Sequence, residues 1–391
     1  MARTIYKKRT INGKTYFYHR LKHENLNGKY KDIYAPTVKE LQEKIKKLNK
    51  ELNYNIKDTK EYFIDFLTEW LFNVKFLRIK PSTQTLYESV YRVYIKECEL
   101  SNVKVKDISI VMIQRYYKHL LADGITPHTI KSIHKLIAPC IRYAYNNDLI
   151  IKDFSKAIEL PKEYESIKLL KEEEVQPLTA EEQQIFAQAI KHHKFEMIFI
   201  LALYSGLRQG ELIALTWNDI NFDECYINVN KTMAEVVEAT QEGRGKIKQT
   251  IQTPKTKCSI RKVNIPASVV NMISEYRKTQ DIELNKYRSL PRFKDYNLVF
   301  CNKYGNYLSP RALRQEFKDI LIKNNIPPRK FHNLRHTYAT RLFELGENPK
   351  TVQKLLGHSK LTVTMDTYTH VLDSVKQKAV NKLDILFNKF N

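Results

Sequence analysis

Four short stretches of this sequence hold side chains whose types and spacing suit work on a bound anion. The first is Tyr204-Ser205-Gly206-Leu207-Arg208-Gln209-Gly210-Glu211-Leu212. Arginine is the rarer cation here, 18 of the 66 basic residues, so an arginine in an apolar setting calls for a reason. Gly206 is placed to end one helix and Arg208 to begin the next. A guanidinium there can face an anion, with Glu211 one turn on to hold it. A structural Arg–Glu pair would leave the same trace. The second stretch is Phe331-His332-Asn333-Leu334-Arg335-His336, where His332 and Arg335 stand i, i+3 on a helix expected to run to Gly346. A guanidinium beside an imidazole suits a phosphate whose bridging oxygens exchange protons, although H-x-x-R alone is a common chance pattern.

The third stretch is Leu355-Leu356-Gly357-His358, followed ten residues later by Tyr368. Gly357 should cap a short helix opened by Asn348-Pro349, leaving His358 in an exposed turn. Tyr368 is the last of 24 tyrosines and the only one after Tyr338. The fourth is Thr253-Pro254-Lys255-Thr256-Lys257, where Lys255 on a hairpin could swing in and give up a proton, or could simply be solvated.

The elements that must carry these residues fall into three blocks. Residues 1–60 hold 16 Lys+Arg against 6 Asp+Glu, so +10 of the chain's +23 lies there. Asn12-Gly13 and Asn27-Gly28 predict two hairpins and three strands from Thr4 to Tyr34. A capping box at Thr37–Glu40 then opens a helix striped by Leu41, Ile45, Leu48 and Leu52. Such a concentrated basic sheet predicts a nucleic-acid reader, against the alternative of a small adaptor with a solvated charged face.

Residues 61–160 read as four helices: Tyr62–Phe76, one capped by Ser82 after Pro81, Asp107–Ala122, and one from Thr126-Pro127 whose stripe is Ile130, Ile133, Ile137, Ile141 and Tyr145. Residues 161–178 read as a linker between Pro161 and Pro177. The third block, 179–391, opens on a Thr179/Glu182 capping box. It mixes a buried helix, Phe195–Leu203, with strands Tyr226–Thr232 and Arg261–Ile265, and ends on a helix striped by Val375, Ala379, Leu383, Leu386 and Phe390. The expected fold is therefore multidomain α+β: a three-stranded sheet with a helix, a helical bundle, and a mixed, mainly helical third domain.

Composition removes other classes. The longest apolar run, Met197–Tyr204, is far below the ~18 residues a membrane helix needs. The first residues, Met-Ala-Arg-Thr-Ile-Tyr-Lys-Lys-Arg, lack a secretory h-region. Cys98, Cys140, Cys225, Cys258 and Cys301 are odd in number and scattered, which predicts neither disulfides nor a zinc site and suits the cytoplasm. No glycine-rich nucleotide cradle occurs. The +23 charge points to a polyanion.

In order and spacing, Arg208, Lys255, His332-x-x-Arg335, Gly357-His358 and Tyr368 resemble the signature of the tyrosine recombinases, or phage integrases. The likeness covers the third block. The first two resemble the arm-binding and core-binding domains of three-domain members, as in lambda-like phages and Gram-positive conjugative transposons. The ten-residue step from His358 to Tyr368 is the one seen in the transposon type.

The resemblance implies that Arg208, Arg335 and His358 bind the scissile phosphate and that Tyr368 attacks it to form a 3′-phosphotyrosine. Lys255 would protonate the 5′-oxygen while His332 assists proton transfer from Tyr368. It also implies site-specific integration and excision without metal, cofactor or ATP. The implied partners are core and arm sites in double-stranded DNA, a homotetramer on that DNA, DNA-bending proteins and an excision factor. The C-terminal helix would dock on a neighbour or pack in cis. A type IB topoisomerase would share the chemistry without synapsis. A non-catalytic regulator on the same scaffold would lack one of the six residues, and none is lacking.

Overall fold

The computed structural model describes residues 6–26, 29–53, 60–162, 176–240, 243–254 and 259–367. The chain divides into two compact units, residues 1–164 with 237–246, and residues 165–236 with 247–391.

In the first unit, strands β1 (Lys7–Ile11), β2 (Lys14–Lys22) and β3 (Tyr30–Ala35) form an antiparallel sheet in that order. Asn12 and Gly13 both have positive φ, as a two-residue hairpin turn requires. The Asn27-Gly28 turn and the segment before Tyr6 lie outside the described residues. Helix α1 (Val38–Asn53) starts where the Thr37 hydroxyl accepts the Glu40 N–H. Its fully buried Leu41 packs with Leu21, Ile33 and Ala35, and Ile45, Leu48 and Leu52 pack beside them. The sequence stripe is thus the face that covers the sheet.

The helices that follow are α2 (Phe63–Glu69), α3 (Pro81–Val90), α4 (Ile110–Ala122) and α5 (Pro127–Asn146), around a core of Leu67, Leu71, Ile95, Ile113, Tyr117, Ile133 and Ile137. Three local expectations are corrected. Lys80, not Ser82, is the N-cap of α3, because Pro81 takes the first helical position with its φ already set. The third helix begins at Ile110 rather than Asp107, which belongs to a separate short turn. Tyr145 continues the α5 stripe but is exposed, since the buried face passes from Ile141 to Ala144, three residues on, instead of to Tyr145.

The second unit opens with α6 (Ala180–Ala189), whose Thr179/Glu182 box is made in both directions. Helix α7 (Glu196–Ser205) is buried almost all round, as its unbroken apolar sequence demands. Short α8 (Gln209–Ala214) follows. Strands β4 (Ile220–Asn221), β5 (Tyr226–Val229) and β8 (Arg261–Asn264) form one antiparallel sheet. The expected strand Tyr226–Thr232 ends at Val229. Asp219 there gathers the Asn230 amide, at 3.2 Å, and the Lys231 ammonium, at 2.5 Å, and turns the chain.

Strands β6 (Thr232–Thr240) and β7 (Gly243–Gln252) pair separately, and their residues 237–246 are counted with the first unit. Helices α9 (Ala267–Asn285), α10 (Pro310–Lys323), α11 (Asn333–Glu344), α12 (Pro349–Leu356) and α13 (Leu361–Thr367) complete the unit. Phe186, Phe199, Phe317 and Phe331 interlock with ring centroids 5.5–6.1 Å apart, and so fix the chain just before His332. No helix among the described residues is long and apolar enough to cross a membrane.

Candidate active site

Arg208 is set by its glycine. Gly206 closes α7 in the left-handed region at φ +61°, and a Cβ there would run into the Tyr338 ring. The chain then turns so that Arg208 is the N-cap of α8. Glu211 reaches back to it: the Arg208 backbone N–H donates to Oε2 at 2.9 Å and the guanidinium Nη1 to Oε1 at 2.8 Å. The Arg208 side chain stays 37% exposed, whereas Glu211 is buried.

Arg335 lies on the first turn of α11 and is 2% exposed. Its Nη1 donates to the Gly206 carbonyl at 2.6 Å and its Nη2 to the Leu356 carbonyl. One guanidinium therefore ties the loop before Arg208 to the loop before His358. His332 is the N-cap of the same helix and keeps an exposed edge, and its ring meets that of His336 edge-on at 4.8 Å.

His358 differs from its expected place in an exposed turn. Gly357 does cap α12 in the left-handed region. His358 is half-buried, however, because its N–H donates to Gln353 O (3.1 Å), its carbonyl accepts from Gln353 Nε2 (3.0 Å), and Nδ1 lies 2.9 Å from the Thr364 hydroxyl on α13. Burial, followed by the charges of Arg335 and Arg208, pushes the pKa of His332 and of His358 down to about 4. For His336 burial and then His332 push it to about 3. All three imidazoles are thus neutral at pH 7, and the positive charge of the cluster belongs to the arginines.

Lys255 and Tyr368 lie outside the described residues, as does the stripe from Val375 to Phe390. Four of the six residues singled out from the sequence, Arg208, His332, Arg335 and His358, converge. Among the described residues no group of three His, Cys, Asp or Glu side chains is arranged to hold a metal.

One participant escaped the sequence reading. Arg261, at the start of β8, donates Nη2 to Glu211 Oε2 (3.0 Å), Nη1 to Oε1 (3.2 Å) and Nε to the Leu355 carbonyl (2.8 Å). The signal for it was the alternation Arg261, Val263, Ile265, which sets an arginine on the same face as two buried apolar side chains.

Comparison with known proteins fits this geometry. Residues 168–374 match the phage integrase family, and residues 62–121 match the phage integrase N-terminal SAM-like domain. A "Tyrosine recombinase XerC-like" protein of Caldanaerobacter subterraneus is 37% identical over 370 residues, covering 92% of this chain and 93% of its own. The ICEBs1 integrase of Bacillus subtilis is 24% identical over 69% of each chain.

In fold, the chain is similar to the Tn1549 transposon integrase solved with a circular intermediate DNA (TM-score 0.61, 20% identity, 82% of this chain and 99% of that one). It is also similar to a lambda integrase dimer bound to a core site (TM-score 0.53, 18% identity, 94% and 96%). The topoisomerase reading is not favoured by these relatives. A family match over more than half the sequence, and a relative alike along nearly all of it, make this chain a member of the phage integrase family, the tyrosine recombinases.

Proposed function

We propose that this tyrosine recombinase integrates and excises a mobile element by cutting and rejoining DNA through Tyr368. The observation that carries the reading is the meeting of Arg208, Arg335 and His358 where two loops are stapled together by one guanidinium. The exposed face of Arg208 supplies charge for a phosphate oxygen, and Arg335 sets the loops that surround it.

In the proposed step the Tyr368 Oη attacks the scissile phosphorus and the P–O5′ bond breaks. The tyrosine proton passes to His332, which is a free base at neutral pH, and Lys255 gives a proton to the departing 5′-oxygen. The phosphotyrosine ester keeps the bond energy of the broken linkage, so a 5′-hydroxyl can reverse the step without ATP. The arginines and Lys255 provide the charge a metal would otherwise bring.

Residues 1–60 are proposed to bind arm sites. The outer face of their sheet collects Lys7, Arg9, Tyr16, Tyr18, Arg20 and Tyr34, cations interleaved with aromatics. Residues 61–160 would grip the core site, 161–178 would link the two grips to the catalytic domain at 179–391, and four copies would assemble on DNA in the cytoplasm. DNA-bending proteins and an excision factor would set direction.

Covalent trapping on a nicked attachment site tests the reading. Wild-type protein should form an adduct that maps to Tyr368, and Tyr368→Phe should bind the site yet form none. An adduct persisting in that variant would remove Tyr368 from its role.

A further inference from the structure

The cluster holds three guanidiniums where the proposed chemistry uses two, and the third poses an electrostatic question. Arg208 sits against a buried carboxylate, Glu211, on both its backbone and its side chain. Alone, that carboxylate would cancel most of the charge Arg208 offers an incoming phosphate. Arg261 meets the same carboxylate with a two-pronged contact, and this pair is almost fully enclosed, with side chains 6% and 5% exposed. Two arginines on one carboxylate leave a net positive charge, and the exposed member is Arg208.

We infer that Arg261 is a positioning residue for strand cleavage: it balances Glu211 so that Arg208 keeps its charge for the scissile phosphate, and it anchors the loop that carries His358. This rests on the proposed role of Arg208.

Arg261 also anchors the chain ahead of His358. The Arg261 Nε donates to the Leu355 carbonyl, one residue before the Leu356 carbonyl that accepts from Arg335. The two loops are thus joined twice, by Arg335 from Gly206 to Leu356 and by Arg261 from Glu211 to Leu355. A single staple leaves a hinge, and two neighbouring staples fix an orientation. Burial would raise the Glu211 carboxyl, but the hydrogen bonds and charge of Arg261, with the charge of Arg208, hold it below the usual range. It stays ionised, and its demand for a cation is permanent.

The test measures core-site affinity and cleavage rate separately, on a full-length protein with a nicked core site. Arg261→Gln should bind core DNA within about threefold of wild type and cleave about 10²-fold more slowly, the scale of losing one preorganised donor. Arg261→Lys should recover part of the rate, having the charge without the fork. The double variant Glu211→Gln/Arg261→Gln should cleave within about tenfold of wild type. It removes the competing carboxylate while the glutamine oxygen can still accept the Arg208 N–H. The double also stays readable if Arg261→Gln alone fails to fold.

A double as slow as the single would assign the whole effect to the lost Leu355 anchor, and that result overturns the charge-balancing role. Wild-type cleavage by Arg261→Gln overturns it too. Arg208→Gln is the control for the underlying reading: wild-type cleavage there would show that Arg208 is not the phosphate ligand, whatever Arg261 does.

Discussion

Two arginine–carboxylate pairs in this chain share a geometry and differ in surroundings. On the N-terminal sheet Arg20 grips Asp32 with contacts of 2.7 and 3.0 Å, and the side chains are 55% and 28% exposed. In the arginine–histidine cluster Arg261 grips Glu211 at 3.0 and 3.2 Å, enclosed on every side. Water and salt stand in for either partner of the first pair, which binds weakly and can be traded for a ligand. Nothing replaces a partner in the second, where each ion has given up its hydration to the other. One forked contact is therefore exchangeable in one place, as the proposed arm-site role requires, and a scaffold in the other.

The largest effect that separates them comes from deleting one partner of the enclosed pair. Glu211→Ala leaves Arg261 buried without its carboxylate and should lower stability by about 3–5 kcal/mol. Denaturant unfolding of the full chain measures it. Asp32→Ala under the same conditions should leave the midpoint in place, because its arginine returns to solvent. Equal losses from the two substitutions would break the comparison outright.

The same contrast explains what could be read before any coordinates. The Thr179/Glu182 box, the Gly206 and Gly357 caps, and the α1 stripe were legible because each is decided within a turn or two of chain. Arg208 and Glu211 were legible as a pair for that reason. Arg261 was not, since its partners lie 50 residues back at Glu211 and 94 residues ahead at Leu355. His358 was misjudged for a related reason: a glycine cap predicts a turn, but only the packing of α13 through Thr364 decides whether that turn meets water. The strand break after Val229 was hidden because the Asn230 and Lys231 side chains that follow it reach back to Asp219, 11 and 12 residues earlier in the chain.

A smaller effect follows from pH. His332, His336 and His358 have folded-state pKa values of about 4, 3 and 4 against an ordinary 6.5. Groups depressed in this direction contribute stability that is complete above 6.5 and is lost as pH falls toward 4, because the unfolded chain takes up protons first. Glu211 acts in a lower window, since its carboxyl is held below its ordinary 4.5 and stays ionised until the pH drops through that range. The unfolding midpoint should therefore decline between pH 7.5 and pH 5, before the carboxylates contribute. A flat midpoint across that interval would mean that the imidazoles are as solvated as the Arg20–Asp32 surface, and the enclosed character of the cluster would have to be given up.

The smallest effect on the fold, and the sharpest on recognition, is expected at Arg20. On the sheet face it lies opposite Asp32, while Tyr18 lies opposite Tyr34 with ring centroids 5.3 Å apart. Asp32 orients the Arg20 guanidinium on this face, and under the proposed arm-site role it stands where a phosphate would. Arg20→Ala should leave stability unchanged, weaken arm-site binding, and reduce the slope of log affinity against log salt by about 1. Asp32→Ala should act in the opposite sense. Arg20, released from its carboxylate, would bind any DNA more tightly and discriminate less, because a charge without a positioned fork attracts phosphates but selects no register. If both substitutions weakened arm-site binding equally and without altering the salt slope, the pair would be part of the sheet's architecture and not of its reading surface. The distinction between traded and enclosed arginines would then rest on the arginine–histidine cluster alone, where Glu211 is buried against Arg261.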